Sequence, residues 1–322
     1  MIDRFGREIS YLRISITDRC NLRCFYCMPP HPEHLCHADI LTYEEIVRTA
    51  EAAASLGITK IRITGGEPLV RRDCVELIAM LKAIPGIRTV ALTTNGILLA
   101  DCLPALCRAG LDAVNISIDT VQEARWRAVT RSDRPMPDWQ SLLNRCVQSG
   151  LRTKVNAVLM KETRGDWMVL AALAESLTVD VRFIEQMPIG RGAVSESECA
   201  GEVLRTLRTQ WPDLHPASDE EKSSPARYYE SAGLTGRIGL IAPMTHRFCE
   251  SCNRIRLTST GQLKPCLSYE TGTDLRELLR AGASDGELRE VMCRCIDKKP
   301  KQHCFADPTE AAEHRTMNRI GG

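Results

Sequence analysis

Apolar residues alternate between two spacings along the first 185 residues. Leu12 to Thr17 (LRISIT) has the period of a strand. Thr42 to Leu56 has helical spacing, opens on Thr42 with Glu45 three residues later, which is the signature of a capping box, and stops at Gly57. The pair then recurs. Lys60 to Thr64, Thr89 to Thr94, Ala113 to Asp119, Arg152 to Leu159 and Asp180 to Glu185 read as strands, making six with the first. Helices are predicted at Asp73 to Ile84, Asp101 to Arg108, near Gln122 to Val129, at Trp139 to Gln148 and near Trp167 to Leu177. Such alternation implies right-handed crossovers and a parallel sheet. The expected fold is α/β, an incomplete (β/α)6 TIM-type barrel, because six repeats fall short of the eight of a closed one.

From about Gly190 to Glu230 the pattern becomes irregular. A second unit then begins, with strands at Arg237 to Ile241 and Arg254 to Ser259, a turn at Thr260-Gly261, and helices near Asp274 to Arg280 and Gly286 to Ile296. The expected division is therefore residues 1–230 as the partial barrel and residues 231–322 as a small C-terminal α+β domain covering its open side.

Strands of a parallel barrel ordinarily read as continuous apolar runs, because both faces are covered. Here alternate positions are polar: Arg13, Ser15 and Thr17; Arg62 and Thr64; Thr93 and Asn95; Asn115, Ser117 and Asp119; Lys154 and Asn156. Period two puts each set on one strand face. If that face lines the interior, the interior is polar and cationic, and ligands are expected toward the carboxyl ends of the strands.

Composition narrows the choice. With 43% hydrophobic and 26% charged residues in 322, the chain can fill a large core and is not a disordered polymer. Lysines and arginines number 42 against 41 acidic residues, so neither a nucleic-acid nor a membrane partner is expected and any phosphate-binding charge must be local. With no secretory leader or long apolar run, a cytoplasmic location is expected. The 15 cysteines then suggest metal or redox work more than a disulfide framework.

Six of them are grouped: Cys20, Cys24 and Cys27 as C-x3-C-x2-C, and Cys249, Cys252 and Cys266 as C-x2-C-x13-C. Each group has three thiolates, one fewer than a closed site needs. The first suits three corners of a [4Fe-4S] cube, with zinc the alternative; the second is as compatible with half of a zinc ribbon, for which Cys293, Cys295, Cys304, His303 or His246 could supply the fourth ligand. Tyr26, between two of the first group, is a packing aromatic or a contact to whatever an open iron holds. Arg254 and Arg256 alternate on the strand leaving the second group, and their forked donors suit phosphate oxygens. Gly65-Gly66-Glu67-Pro68 follows the second strand, where two glycines would either let a ligand approach the backbone or serve only a tight strand-to-helix turn.

These residues carry a resemblance. The first cysteine group with Tyr26, and GGEP after the next strand, resemble the radical S-adenosylmethionine (SAM) enzymes. More narrowly, DRFGR, LRISITDRCNLRCFYCMP, LTYEEI, KIRITGGEPLVRRD, LTTNG, NISIDT, RFIEQM, FCESCNRIRLTSTGQLKPCL and the final IGG resemble the GTP 3′,8-cyclase family, lyases that open molybdenum cofactor biosynthesis. The resemblance runs from end to end apart from about Gly190 to Glu230. It implies two [4Fe-4S] clusters, held by Cys20, Cys24 and Cys27 and by Cys249, Cys252 and Cys266, with SAM on the open iron of the first and GTP at the second. Tyr26, Gly66, Ser117 and Met187 match SAM-contacting positions; Arg13, Arg62, Thr93, Lys154, Arg254, Ile255 and Arg256 match GTP-contacting ones. The implied reaction cleaves SAM, on arrival of one electron, to methionine and a 5′-deoxyadenosyl radical, which takes the ribose 3′ hydrogen of GTP so that the carbon radical attacks guanine C8; a further electron and a proton then give (8S)-3′,8-cyclo-7,8-dihydroguanosine 5′-triphosphate. Gly321 and Gly322 would form a tail reaching into the pocket. Cyclic pyranopterin monophosphate synthase is the implied pathway partner; the resemblance leaves the electron donor open, and monomer and homodimer both remain. The rival readings are another radical SAM enzyme with an auxiliary cluster, such as a peptide-modifying one, and a non-enzymatic metal-binding regulator, which the +1 net charge disfavours.

Overall fold

The computed structural model describes residues 1–191, 198–218, 223–305 and 312–321. In chain order its elements are β1 (Tyr11–Ser15), α1 (Tyr43–Ser55), β2 (Lys60–Thr64), α2 (Cys74–Lys82), β3 (Thr89–Thr94), α3 (Leu99–Arg108), β4 (Ala113–Ser117), α4 (Glu123–Thr130), α5 (Trp139–Gln148), β5 (Arg152–Leu159), α6 (Trp167–Ser176) and β6 (Asp180–Glu185). There follow α7 (Ala200–Leu207), β7 (His215–Pro216), β8 (Arg227–Glu230), β9 (Arg237–Ile241), β10 (Arg254–Leu257), β11 (Gln262–Lys264), β12 (Thr273–Asp274), α8 (Arg276–Arg280), α9 (Asp285–Asp297) and α10 (Met317–Ile320).

The strands form a single sheet in the order β12-β11-β10-β1-β2-β3-β4-β5-β6-β9-β8-β7. β1 to β6 are the expected parallel arc. Among the described residues the C-terminal part has no sheet of its own: β10 adds in parallel to β1 and β9 in parallel to β6, lengthening the arc at both edges. The outer edges are antiparallel, through β11 and β12 on one side and β8 and β7 on the other. The sheet has two ends and does not close into a ring, so this is a partial TIM-type barrel.

Apolar alternation sorts the faces. Leu12, Ile14, Ile61, Ile63, Val90, Leu92, Val114, Ile116, Val155, Val181 and Phe183 are buried under the helices. Their neighbours on the strands turn to the interior. The helices start where their caps allow: the Thr42 hydroxyl accepts from the Glu45 N–H at 3.2 Å and the Glu45 carboxylate accepts from the Thr42 N–H at 2.8 Å. α3 begins two residues earlier than expected and contains Pro104, which has no N–H for the carbonyl of Ala100; that carbonyl accepts from Arg145 at 2.8 Å instead. The stretch expected to be irregular contains α7, β7 and β8. β8 is ordered by pairing with β9, a partner about ten residues away whose contribution no local pattern displays.

α8 and α9 dock on α1 through Arg280 to Glu45 at 2.8 Å and Arg48 to Asp285 at 3.0 Å. Among the described residues, no helix is long and apolar enough to cross a membrane.

Candidate active site: two cysteine sets at the ends of a cationic interior

The loop after β1 carries Cys20, Cys24 and Cys27, so this set lies at the carboxyl ends of the parallel strands. Cys249 and Cys252 precede the amino end of β10, the parallel neighbour of β1, and Cys266 follows antiparallel β11. The two sets therefore sit at opposite ends of the interior, separated by about the length of a five-residue strand, on the order of 16 Å.

In the first set Cys20 Sγ accepts from the Leu22 N–H at 3.4 Å and from Asn95 Nδ2 at 3.7 Å. Burial, then the nearby Glu67 carboxylate, pushes the Cys20 thiol up to about 11. Burial and the Cys20 charge push Cys27 to about 12, and burial followed by Asp119 raises Cys24 well above the usual thiol range. These thiols are close enough to repel one another once ionised and need a strong cationic partner to be thiolates at neutral pH. Tyr26 donates to Asp119 at 2.7 Å, and Asp119, lifted by burial to about 6, also accepts from the Val158 N–H.

The glycines of GGEP are required within the fold itself. A Cβ on Gly66 would stand 2.3 Å from the Arg19 carbonyl oxygen, and one on Gly65 would stand 2.8 Å from that of Thr17. It is the cysteine loop's own backbone that comes so close, joined by Gly66 N–H to Thr17 O and Glu67 N–H to Arg19 O, both 2.8 Å. The Glu67 side chain, 1% exposed, then accepts from the Thr94 hydroxyl at 2.8 Å and the Asn95 N–H at 2.7 Å, tying this turn to the end of β3. Burial raises its carboxyl to about 7. Ser117 ends β4 on the interior face and Met187 follows β6, so all four SAM-matching positions lie at the carboxyl ends.

Below this rim the interior is cationic. Registers put Arg13 beside Arg62 on one side and Arg256 on the other, and Arg254 beside Tyr11. Arg62 donates to Tyr11 at 2.5 Å and to Thr93 Oγ1 at 3.3 Å. Lys154 reaches Asp180 at 2.6 Å and Tyr228 at 2.7 Å; Arg237 shares Asp180 at 3.1 Å. Arg182, an alternate position on β6, holds Asn156 Oδ1 at 2.6 and 2.9 Å. Burial, then repulsion from Arg254, lowers Arg256 to about 10, and burial followed by Arg256 holds Arg13 well below the usual arginine range. Burial would raise Tyr11, but Arg62, Arg13 and Lys60 pull it down to about 7. Guanidinium groups forced together at such cost favour a polyanion among them. Asn115 Oδ1, buried without a hydrogen-bond partner, lies between Thr93 and Lys154 in register. Ile255 differs from its neighbours: fully buried in the apolar core, its side chain faces away from the two arginines.

The second set is electrostatically distinct. Burial alone would raise Cys252, yet Arg254 and Lys299 lower it to about 6. Arg254 lies 3.7 Å from Cys252 Sγ. Of the spare cysteines, Cys295 is in the apolar core with its thiol donating to the Leu263 carbonyl, and Cys304 donates to the Ser268 carbonyl at 3.2 Å. Among the described residues no three His, Cys, Asp or Glu side chains are gathered around a single-ion position. Two sets of three free thiols, each within mutual electrostatic reach, are a donor chemistry that fits iron-sulfur ligation.

The C-terminal segment crosses the rim. Asn318 Nδ2 donates to the Asp18 carbonyl at 3.1 Å and its N–H points at Cys27. Gly321, at φ +77°, packs against Ser15 and Thr64, and its carbonyl accepts from Arg256 at 2.9 Å. Gly322 lies outside the described residues. Sequence reasoning missed Arg182, Tyr11, Glu67 and Asn318. For Arg182 the same period-two signal was present on the sixth strand.

Comparison with known proteins agrees with this layout. Residues 14–174 match the Radical SAM superfamily, and residues 179–305 match Molybdenum Cofactor Synthesis C. The chain is 41% identical over 324 residues to a GTP 3′,8-cyclase of Clostridium perfringens (strain SM101 / Type A) and 42% identical over 326 residues to that of Moorella thermoacetica, covering 100% of both chains each time. It is 42% identical to molybdenum cofactor biosynthesis protein 1 of Homo sapiens over 98% of this chain and 50% of that protein. Among solved structures, Streptococcus suis SuiB bound to S-adenosylmethionine shares the fold at a TM-score of 0.63 and 17% identity, covering 94% of this chain and 74% of that one. With full-length similarity of this order added to both cysteine sets and the arginine-lined interior, the chain belongs to the GTP 3′,8-cyclase family of radical SAM enzymes.

Proposed function

We propose that the protein is a GTP 3′,8-cyclase, taking GTP to the 3′,8-cyclised nucleotide that begins molybdenum cofactor synthesis, with residues 231–322 as its substrate-binding part. The observation that carries this reading is the cationic interior spanning one strand length between two three-thiol sets. Cys20, Cys24 and Cys27 would hold the cluster that takes SAM, and Cys249, Cys252 and Cys266 a second [4Fe-4S] cluster meeting the guanine end. The bound groups supply a carbon radical able to take hydrogen from an unactivated sugar carbon.

The chain's own residues bind, orient and exclude water. Arg13, Arg62, Lys154, Arg254 and Arg256 neutralise the triphosphate, and crowding relieved on binding adds to the attraction. Thr93 and the unpartnered oxygen of Asn115 suit ribose hydroxyls, and for Ile255 only the backbone is available. Tyr26, Gly66, Ser117 and Met187 would hold SAM at the rim, and Asp119 fixes the Tyr26 hydroxyl. Holding both molecules in one closed interior supplies proximity and keeps water from the radical. Gly321 closes the rim between the two molecules, an arrangement supported by the Arg256 contact to its carbonyl.

Anaerobic reconstitution tests the assignment. About eight irons per chain and GTP-dependent formation of 5′-deoxyadenosine from SAM and a reductant are expected. About four irons with zinc, or a SAM cleavage indifferent to GTP, would refute it.

A further inference from the structure

We infer that Arg7, in the DRFGR segment, is a positioning residue for the second cysteine set; the inference rests on reading that set as a cluster site. The first set lies within one eight-residue loop, Cys20 to Cys27, tied by its own backbone bonds such as Cys27 N–H to Cys24 O at 3.0 Å. The second is spread from Cys249 to Cys266 across two strands and the turn between them, so its geometry has to be fixed from outside.

Residues 1–9 supply one fixed point. Ile2 bridges Glu8, the Ile9 N–H reaches the Met1 carbonyl at 2.8 Å, and the Met1 amino group donates to Leu56 O at 2.8 Å, anchoring this hairpin on the end of α1. Arg7, 7% exposed, makes four guanidinium hydrogen bonds and an ion pair there. Nε and Nη2 go to the Asp3 carboxylate at 2.7 and 2.6 Å, Nη2 also to Pro300 O at 2.8 Å, and Nη1 to Lys301 O at 3.2 Å and to the carbonyl of Cys249 itself at 3.0 Å. Lys299, 2% exposed, completes the bracket by donating to Arg254 O and Pro265 O, both 2.7 Å. The segment 299–301 thus ties together the three stretches that carry Cys249, Cys252 and Cys266. Arg7 tethers that assembly to the barrel. A cube binds each thiolate at a different iron, so the spacing of the three stretches decides whether it fits. Groups that orient ligands in this way typically change metal affinity 10–100-fold when removed.

The test compares the wild type with Arg7→Met, which keeps the stem and loses every donor, and Arg7→Lys, which keeps the charge with fewer donors. After anaerobic reconstitution the wild type should hold about eight irons and Arg7→Met about four. In that variant GTP affinity should fall about tenfold or more. SAM cleavage by dithionite without GTP, which reads the first set, should stay within about twofold. In cluster-free protein, alkylation of Cys249 should be about fivefold faster in Arg7→Met and that of Cys20, Cys24 and Cys27 unchanged, as expected for loss of a local tether; Arg7→Lys should fall between. Arg7→Met with about eight irons and unaltered GTP affinity, or with uniform loss at both sets, overturns the inference. A wild type that itself takes up about four irons overturns the second cluster instead, and the Arg7 role with it. Should Arg7→Met fail to fold, Arg7→Lys decides: wild-type Cys249 alkylation and iron content in it count against the tether.

Discussion

Gly321→Ala isolates the part of the tail that the interior constrains. At φ +77° an L residue is strained by about 1–2 kcal/mol. The added Cβ would also stand 2.7 Å from Ser15 Cβ, which belongs to β1 and cannot rotate aside, and 3.0 Å from Thr64 Oγ1. Overpacking of that kind costs about 1–3 kcal/mol. Together they disfavour the docked tail by about 2–5 kcal/mol, so turnover that needs it should fall at least about thirtyfold. The assay is GTP-dependent turnover under anaerobic conditions, with iron content and GTP-independent SAM cleavage as controls that should hold. Gly150→Ala is the matched control, since Gly150 has φ +78° and an added Cβ there meets nothing within 4 Å. It should leave turnover unchanged. The double variant Ser15→Gly with Gly321→Ala removes the Ser15 contact but neither the Thr64 contact nor the dihedral strain, and should recover part of the loss. Turnover of Gly321→Ala within about twofold of wild type, with both clusters present, would refute the claim that the docked tail serves the reaction.

Three further outcomes follow from the same geometry. Arg13→Met removes one of several crowded guanidinium groups, so melting of the GTP-free protein should not fall, whereas GTP should bind about 10–150-fold more weakly for the loss of about 1.5–3 kcal/mol. Because the folded-state pKa of Tyr11 is depressed from 10.0 to about 7, its phenolate contributes stability that is fully present above pH 10 and lost as pH falls through 7; the difference between wild type and Tyr11→Phe in denaturant midpoint should therefore grow from pH 7 to 10, and GTP affinity of the wild type alone should weaken as pH rises through 7. Glu313 is buried between Lys264 and Arg315, so Glu313→Gln leaves a buried cation short of its partner at a cost of about 3–5 kcal/mol, read as faster hydrogen exchange in residues 312–321.

Much of this layout is written in local pattern. The six strands and their helices follow from periodicity, and polar residues at alternate strand positions gave away the interior, because covered parallel strands have no other reason to carry Arg13, Arg62 and Lys154. What the pattern does not carry is long-range partnership. β9 and β10 look like a hairpin-scale unit of their own and instead join β6 and β1, since nothing in Arg237–Ile241 names the strand it will pair with. The glycines of GGEP fitted a ligand approach and a tight turn equally, and nothing local shows that they also admit the backbone of Thr17 and Arg19 on the neighbouring loop. Arg7 and Asn318 act across nearly the whole length of the chain, one on Cys249 and the other on Asp18, and no spacing rule connects such positions.

The most direct measurement of the central claim is the fate of the ribose 3′ hydrogen. With GTP deuterated at that carbon, one deuterium is expected in the 5′-deoxyadenosine released by the anaerobic enzyme, and a cyclised nucleotide in equal amount. Deuterium retained in the nucleotide, or deoxyadenosine formed unlabelled at the same rate without GTP, would contradict it.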